Sequence, residues 1–353
     1  MKKILVITQK VNKNDSNLGF FHEWLLRLAG KVESLSVICL EKGEYNLPSN
    51  VKVLSLGKEK YVSRLKYLIN FYIYIWREHR NYDGVFVHMN PEYCILGGFF
   101  WRIWKKKILF WYTHKAVNWR LWLAEKFAYK IFTASKESFR LPSKKVEVVG
   151  HGIPVEQFAK QLYSPPVGQI CLLSVGRITP SKDLLQIIEA LAMMKNDANL
   201  TSVSVDIVGA PVTKIDVAYE KKIFSLSLAL KQSLNISVAA PDDMPGIYQH
   251  HHILIHTSRT GSMDKVVLEA LASGRWVVTS SEAYVDLAKD GLVYAFPIGN
   301  YLELAKTIEK VCCSGILHFQ FGQFSPNQKG IDYVCKNHNL DTLINKLIHF
   351  FSL

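Results

Sequence analysis

The stretch Thr257 to Thr279, TSRTGSMDKVVLEALASGRWVVT, sets polar and charged residues at the head of an apolar helical run and closes on a buried strand. Thr260, Gly261 and Ser262 are suited to cap a helix whose free N–H groups face an approaching ligand. The positive end of the helix dipole favours an anion there. Asp264 and Glu269 stand five residues apart, so a helix does not set them close together on one face. Glu269 falls among Val266, Val267, Leu268, Ala270 and Leu271, where a carboxylate is costly unless it is hydrogen-bonded. A pair of ligand hydroxyls would satisfy it, and so would a half-exposed position on an ordinary surface helix.

A second stretch, Leu172 to Leu184, reads LLSVGRITPSKDL: an apolar run ends at Gly176, and Arg177 and Lys182 follow. Ligands of open α/β sheets gather beyond the carboxyl ends of the strands, and an Arg with a Lys there suits a diphosphate better than a carboxylate. Either cation alone is a solvated surface charge. Together with the helix start they point to an anionic ligand.

The elements that must position these groups alternate. Strands at Cys171–Val175, Ser202–Val208, Ile236–Val238 and Ile253–His256, with helices at 182–194 and 215–230, predict a doubly wound parallel sheet. The first half repeats the pattern, with strands at Lys3–Thr8, Leu35–Leu40, Val51–Leu54, Asp83–His88, Ile108–Tyr112, Lys130–Ala134 and Val146–Val149. The helix at about 62–77 is apolar around nearly its whole circumference, so it is either deeply packed or laid on a membrane surface, packing being the default. The paired prolines of QLYSPPVG (161–168) mark a linker. The expected architecture is α/β, two Rossmann-like domains at 1–162 and 163–336, and a closing helix at 337–353.

A chain of 353 residues can bury two cores. Its net charge of +13 is uneven: residues 1–150 hold 26 basic and 12 acidic residues, the remainder 17 and 18. Seven of the eight tryptophans also lie in that first part, and Trp mixed with Lys and Arg favours an anionic membrane interface. The cluster Arg102, Lys105, Lys106 and Lys107 beside FFWRIW is the leading contact candidate. No nucleic-acid-binding motif accompanies the charge, so nucleic acid is excluded as a partner. MKKILVITQK reads as a first strand and not as a signal peptide, and no apolar run is long enough to span a bilayer. The six cysteines lack metal-ligand spacing and read as reduced core residues of a cytoplasmic protein. His250, His251 and His252 have no companions at ligand spacing and read as a polar helix end.

In SVGRITPSKDL, in EVVGHGIPVEQF (Glu147 to Phe158) and in TGSMDKVVLEALASG, the chain resembles the retaining, nucleotide-sugar-dependent glycosyltransferases of family 4 (group 1). These have the GT-B fold, two Rossmann-like domains facing a cleft. The resemblance implies an N-terminal acceptor-binding domain and a C-terminal domain that binds a nucleoside diphosphate sugar. It places donor contacts at Gly19, Gly176, Arg177, Lys182, Ala239, Gly261, Ser262, Met263, Asp264, Val266 and Glu269. His114, after the Ile108 strand, joins Arg177 and Lys182 in the catalytic set. Family members carry an acid eight positions before the glutamate matching Glu269. Gly261 stands there in this chain, and Asp264 of the GSxDK pattern is its expected substitute. Trp276 replaces a common proline, and SSEAYVDL replaces a Gly-rich turn.

The implied chemistry is retaining transfer with no metal cofactor, because Arg177 and Lys182 supply the positive charge. The basic, Trp-rich first half points to a glycan or polyprenyl-linked acceptor, a precursor of envelope polysaccharide or glycoconjugate, met by a cytoplasmic enzyme peripheral on the inner membrane face. The alternative is a non-catalytic, nucleotide-binding scaffold of GT-B type at a membrane surface.

Overall fold

The computed structural model describes residues 2–15, 17–60, 63–159, 166, 169–194, 203–313, 317–318 and 323–352. The chain forms two compact units, one of Met1–Pro154 with His338–Leu353, the other of Val155–Asn337.

The first unit runs β1 (Lys3–Val11), α1 (Phe20–Ala29), β2 (Ser34–Lys42), β3 (Val51–Ser55), α2 (Arg64–Arg77), β4 (Gly84–His88), α3 (Pro91–Ile103), β5 (Lys107–Trp111), α4 (Trp119–Phe127), β6 (Lys130–Thr133) and β7 (Val146–Val148). Its seven strands are parallel, in the order β3-β2-β1-β4-β5-β6-β7. Successive residues of β1 point to opposite faces. Ile4 and Val6 pack with Phe21 and Trp24 of α1, while Leu5 and Ile7 pack with Phe71, Ile75, Trp101 and Leu121 of α2, α3 and α4.

Helices α2, α3 and α4 therefore share one face of the sheet, and their outer sides correct the packed reading of the 62–77 helix. Only Phe71 and Ile75 of α2 are buried, while Leu65, Ile69, Ile73 and Trp76 are exposed. A helix in the outer layer has a single sheet beneath it, so the far side of an all-apolar helix stays uncovered. Phe99 and Ile103 of α3 and Trp119 and Trp122 of α4 continue the exposed apolar surface. Trp76 meets Trp104 at 5.5 Å between ring centroids, and Arg102 donates to the Lys126 carbonyl at 2.6 Å, so the three helices present one continuous face. Among the described residues no helix is long and apolar enough to cross a membrane.

The second unit opens with α5 (Val155–Ala159) and continues β8 (Ile170–Val175), α6 (Leu185–Met194), β9 (Val203–Val208), α7 (Lys214–Ala229), β10 (Ser233–Ser237), α8 (Met244–Gln249), β11 (Ile253–His256), α9 (Lys265–Ala272), β12 (Trp276–Thr279), α10 (Val285–Lys289), β13 (Tyr294–Ala295), α11 (Tyr301–Val311), the pair β14 (Leu317–His318) and β15 (Gln323–Phe324), and α12 (Gln328–Asn337). Six parallel strands take the order β10-β9-β8-β11-β12-β13. The order reverses between β8 and β11, which creates the switch point at which such sheets bind ligands.

The helix expected from Lys182 is divided. Pro180–Lys182 form a single 3-10 turn, Asp183 has φ 51°, and the α-helix begins only at Leu185. Proline opens the turn, and the left-handed Asp183 ends it. Lys182 consequently lies in a loop.

The last helix, α13 (Leu340–Ser352), belongs to the first unit. The Ile153 N–H donates to the His338 carbonyl at 2.6 Å, Leu340 returns a bond to Ile153 at 2.9 Å, and Leu343 and Leu347 join the core against α1. The units divide at Pro154/Val155 and Asn337/His338, with α5 in the second unit, while the expected linker 161–168 lies, apart from residue 166, outside the described residues. Cys39, Cys94, Cys171 and Cys312 are buried, but Cys313 and Cys335 are exposed and are not core residues. Of the three histidines read as a polar helix end, His250 is the exposed C-cap residue of α8, while His251 and His252 are buried, His251 against Asp206 at 3.1 Å. Burial pushes the His252 imidazole down to about 4.

Candidate active site

The loops after β8 and β11 are brought together because these strands are neighbours in the sheet. The β8 loop begins at Gly176, whose φ of +136° suits glycine. Its backbone lies so close to the β9 end that a Cβ on Gly209 would stand 1.9 Å from the Gly176 carbonyl oxygen. Ile178 N–H donates to the Ala210 carbonyl at 3.1 Å and fixes the course of the loop. Arg177 is exposed, and among the described residues it has no hydrogen-bond or ion-pair partner. Lys182 turns toward the β11 loop: its carbonyl accepts from Thr257 Oγ1 at 2.6 Å, and the Arg259 N–H donates to Ser181 at 3.0 Å. Arg259 also pairs with Asp183 at 2.7 Å.

The β11 loop departs from the expected helix cap. Helix α9 starts at Lys265 with Asp264 at its N-cap position, so Thr260, Gly261 and Ser262 lie ahead of the helix. Gly261, at φ +61°, makes the turn that brings the chain to this start. The Asp264 carboxylate makes no capping hydrogen bond. Its Oδ2 instead receives Lys182 Nζ and His256 Nε2, the latter at 2.9 Å, and its Oδ1 receives Ser262 Oγ at 3.0 Å. Hydroxyls of Ser258, Thr260 and Ser262 follow one another at 2.9 Å, and Lys182 Nζ reaches Ser258 Oγ at 3.5 Å. Lys182 can only donate and the Asp264 carboxylate can only accept, so the hydroxyls between them donate in one direction and the ring closes. Burial opposes ionisation of Asp264, but the hydrogen bonds and charges of His256 and Lys182 override it and hold the carboxyl well below its usual range.

Glu269 lies in the second turn of α9. Tyr248 OH donates to its Oε2 at 3.0 Å, and Lys265 Nζ stands 3.6 Å from its Oε1, with the side chain 15% exposed. Protein groups thus supply the partner that its apolar setting requires. Burial lowers the Lys265 ammonium, with Glu269 opposing that shift, and burial pushes the Tyr248 phenol well up.

Lys182, Gly261, Ser262 and Asp264 converge at the switch point, with Gly176 and Arg177 on the same loop as Lys182. Met263 is buried, Val266 half-buried in the first turn of α9, and Ala239 half-buried beyond β10 at the sheet edge. Gly19 and His114 belong to the first unit. Gly19 is the buried N-cap residue of α1, and His114 is exposed, its Nδ1 accepting from the Ala116 N–H at 3.0 Å.

Sequence reasoning missed His256, Ser281 and Tyr284. Ser281 Oγ donates to the Ser262 carbonyl at 3.2 Å and Tyr284 OH to the Asp264 carbonyl at 2.7 Å. The SSEAYVDL segment therefore braces the backbone of this loop, a role its composition does not reveal. Trp276, at the start of β12, donates Nε1–H to the Ser325 carbonyl at 2.9 Å.

Residues 156–328 match the family model described as glycosyl transferases group 1. No curated protein matches the chain. Among solved structures, the chain is similar to Anabaena HepE in complex with UDP and glucose (TM-score 0.76, 16% identity, 100% of both chains covered). It is also similar to sucrose-phosphate synthase from Thermosynechococcus elongatus (0.74, 12%, 99% of this chain and 98% of that one) and to WaaG, a glycosyltransferase involved in lipopolysaccharide biosynthesis (0.69, 13%, 99% of both). At such identities the likeness shows the fold. The match to glycosyl transferases group 1 thus covers the second unit of this chain, and its two parallel-sheet units have the GT-B fold.

Proposed function

We propose that the chain is a retaining glycosyltransferase of family 4 that moves a sugar from a nucleoside diphosphate sugar to a glycan or lipid-linked acceptor in envelope polysaccharide or glycoconjugate synthesis. The reading is carried by one observation, the meeting of the Lys182 loop with the head of α9 where the strand order reverses. Breaking the donor bond leaves negative charge on the diphosphate and positive character on the sugar. Lys182, Arg177 and the N–H groups from Gly261 to the first turn of α9 are charges and dipoles of the sign that stabilises the leaving diphosphate. With its charge supplied by the protein, the reading assigns no metal.

Glu269 keeps acceptor capacity beyond its bond from Tyr248, so it can take ribose hydroxyls as well. Asp264 stands in for the acid absent at Gly261, and the reading gives Gly176, Ser262, Met263 and Val266 to the donor's phosphates and sugar and Ala239 to its base. Gly19 and His114 serve the donor sugar and acceptor from the first unit. The departing phosphate oxygen takes the acceptor proton, so no protein nucleophile is needed. UDP is the nucleotide to test first, because HepE was solved with it.

The acceptor is assigned to a membrane on the character of the α2–α4 face. Exposed Trp76, Phe99, Ile103, Trp119 and Trp122 sit beside Arg102, Lys105, Arg120 and Lys126, a pairing of apolar wedge and positive rim that fits an anionic bilayer and a peripheral, cytoplasmic-face protein. A second reading, a non-catalytic nucleotide-binding scaffold, draws on the neutralisation of Lys182 by Asp264.

Calorimetry with UDP, GDP and their sugar conjugates, followed by a transfer assay on a polyprenyl-linked acceptor, tests both readings. Failure of every nucleotide to bind overturns both. Binding without transfer to any acceptor favours the scaffold.

A further inference from the structure

Asp264 occupies the N-cap position of α9, and aspartate is among the residues that cap a helix best, yet its carboxylate bonds elsewhere. Besides Lys182 and Ser262, its partners include a buried imidazole to which the donor site assigns no role. His256, the last residue of β11, is 4% exposed, and its Nε2 stands 2.9 Å from Asp264 Oδ2. The carboxylate is acceptor-only, so Nε2 carries the hydrogen. On the other side, His256 Nδ1 meets Thr279 Oγ1 at 2.9 Å, and that oxygen also accepts the Ser281 N–H at 3.1 Å. Thr279 is the register partner of His256 on β12, so both ends of the pair are mounted on the sheet and the ring cannot swing. Tyr284 packs edge-on at 5.9 Å and completes the enclosure.

We infer that His256 is a positioning residue that holds the Asp264 carboxylate off the N-terminus of its own helix, leaving that N-terminus to a diphosphate and keeping Lys182 beside it. The inference rests on the nucleotide reading. The physical conflict is direct: a capping carboxylate and a diphosphate are both anions seeking the first-turn N–H groups of α9. When Lys182 turns to the phosphates, Asp264 loses its cation and has every electrostatic reason to rotate onto the helix. The Nε2–H of His256, fixed by Thr279, prevents that rotation.

The test measures UDP and uridine affinities of the full chain for wild type, His256→Leu and His256→Gln, with thermal melting of each. Glutamine keeps an N–H donor near the Nε2 position and leucine does not. The expected result is about a tenfold loss of UDP affinity in His256→Leu, the scale of one hydrogen bond to a charged group, with uridine affinity unchanged and UDP affinity restored to within about threefold in His256→Gln. Equal weakening of UDP and uridine in His256→Leu assigns the histidine to general structure and overturns the inference. So does wild-type UDP affinity in that variant. If His256→Leu does not fold, Thr279→Val, which frees the imidazole, must show the same selective loss. Wild type that binds no nucleotide instead overturns the reading on which the inference rests.

Discussion

Lys182 and Asp264, 82 residues apart in the chain, form an ion pair with side chains 21% and 20% exposed, and the carboxylate oxygen they share is held from the other side by His256. The cation assigned to the diphosphate is therefore stored against an internal anion. Lys182→Ala is expected to abolish transfer and to cost about 1–3 kcal/mol of stability, since it strands a half-buried carboxylate. Arg177→Ala, at an exposed residue without a partner among the described residues, should abolish transfer with an unchanged melting curve. Initial-rate assays paired with denaturant titrations check both; near-normal turnover in either variant removes that residue from the diphosphate site.

The depressed Asp264 carboxyl links stability to pH. A group whose folded value lies below its ordinary 3.8 contributes stability that is present above that value and is lost as the pH falls below it toward the folded value. Asp264→Asn should thus be less stable than wild type at neutral pH, with the difference shrinking below about pH 4. Urea melts from pH 7 down to pH 3 measure it, and a constant difference across that range contradicts the assignment.

Glu269→Gln retains an oxygen for the Tyr248 hydroxyl but loses the negative charge and half of the acceptor capacity. Nucleotide affinity is expected to fall about tenfold, the worth of a charged hydrogen bond, and stability by about 1–3 kcal/mol, since the largely buried Lys265 ammonium loses the Glu269 charge. Unchanged affinity by calorimetry would falsify the ribose role.

Gly209 has no room for a side chain against the Gly176 carbonyl, 1.9 Å from where its Cβ would be. Gly209→Ala must push back the loop that carries Arg177 and Lys182. A stability loss of about 1–3 kcal/mol is expected together with weakened UDP binding. Full UDP affinity in a destabilised variant would show that the loop position does not matter to the ligand.

The outer face of α2–α4 predicts sedimentation with vesicles containing anionic lipid, falling as salt rises because the basic rim is screened. Replacing Trp119 and Trp122 together with Ser should reduce binding at low salt by about an order of magnitude, as two buried aromatic wedges are removed. Binding that ignores both salt and the tryptophans sinks the membrane assignment.

The amino-acid sequence by itself determined the parallel αβ alternation in both halves, because strands buried on two faces must be continuous apolar runs such as Ile4 to Ile7 or Cys171 to Val175, and those runs are visible locally. It also marked Glu269 as a carboxylate in need of a partner, and Lys182 and Asp264 as candidate ligand contacts. The tertiary structure alone decided how those settings are satisfied. Strand order set β8 beside β11, and that adjacency, absent from either segment, joined Lys182 to Asp264. His256 read as one more residue of an apolar strand until β12 placed Thr279 behind it. Asp264 was displaced from capping by bonds that arrive from two other elements. Helix α2, apolar all round, showed its outer side only once the sheet had claimed one face. Local pattern determines which groups need partners, whereas the identity of each partner depends on contacts between segments far apart in the chain, which only the folded sheet creates.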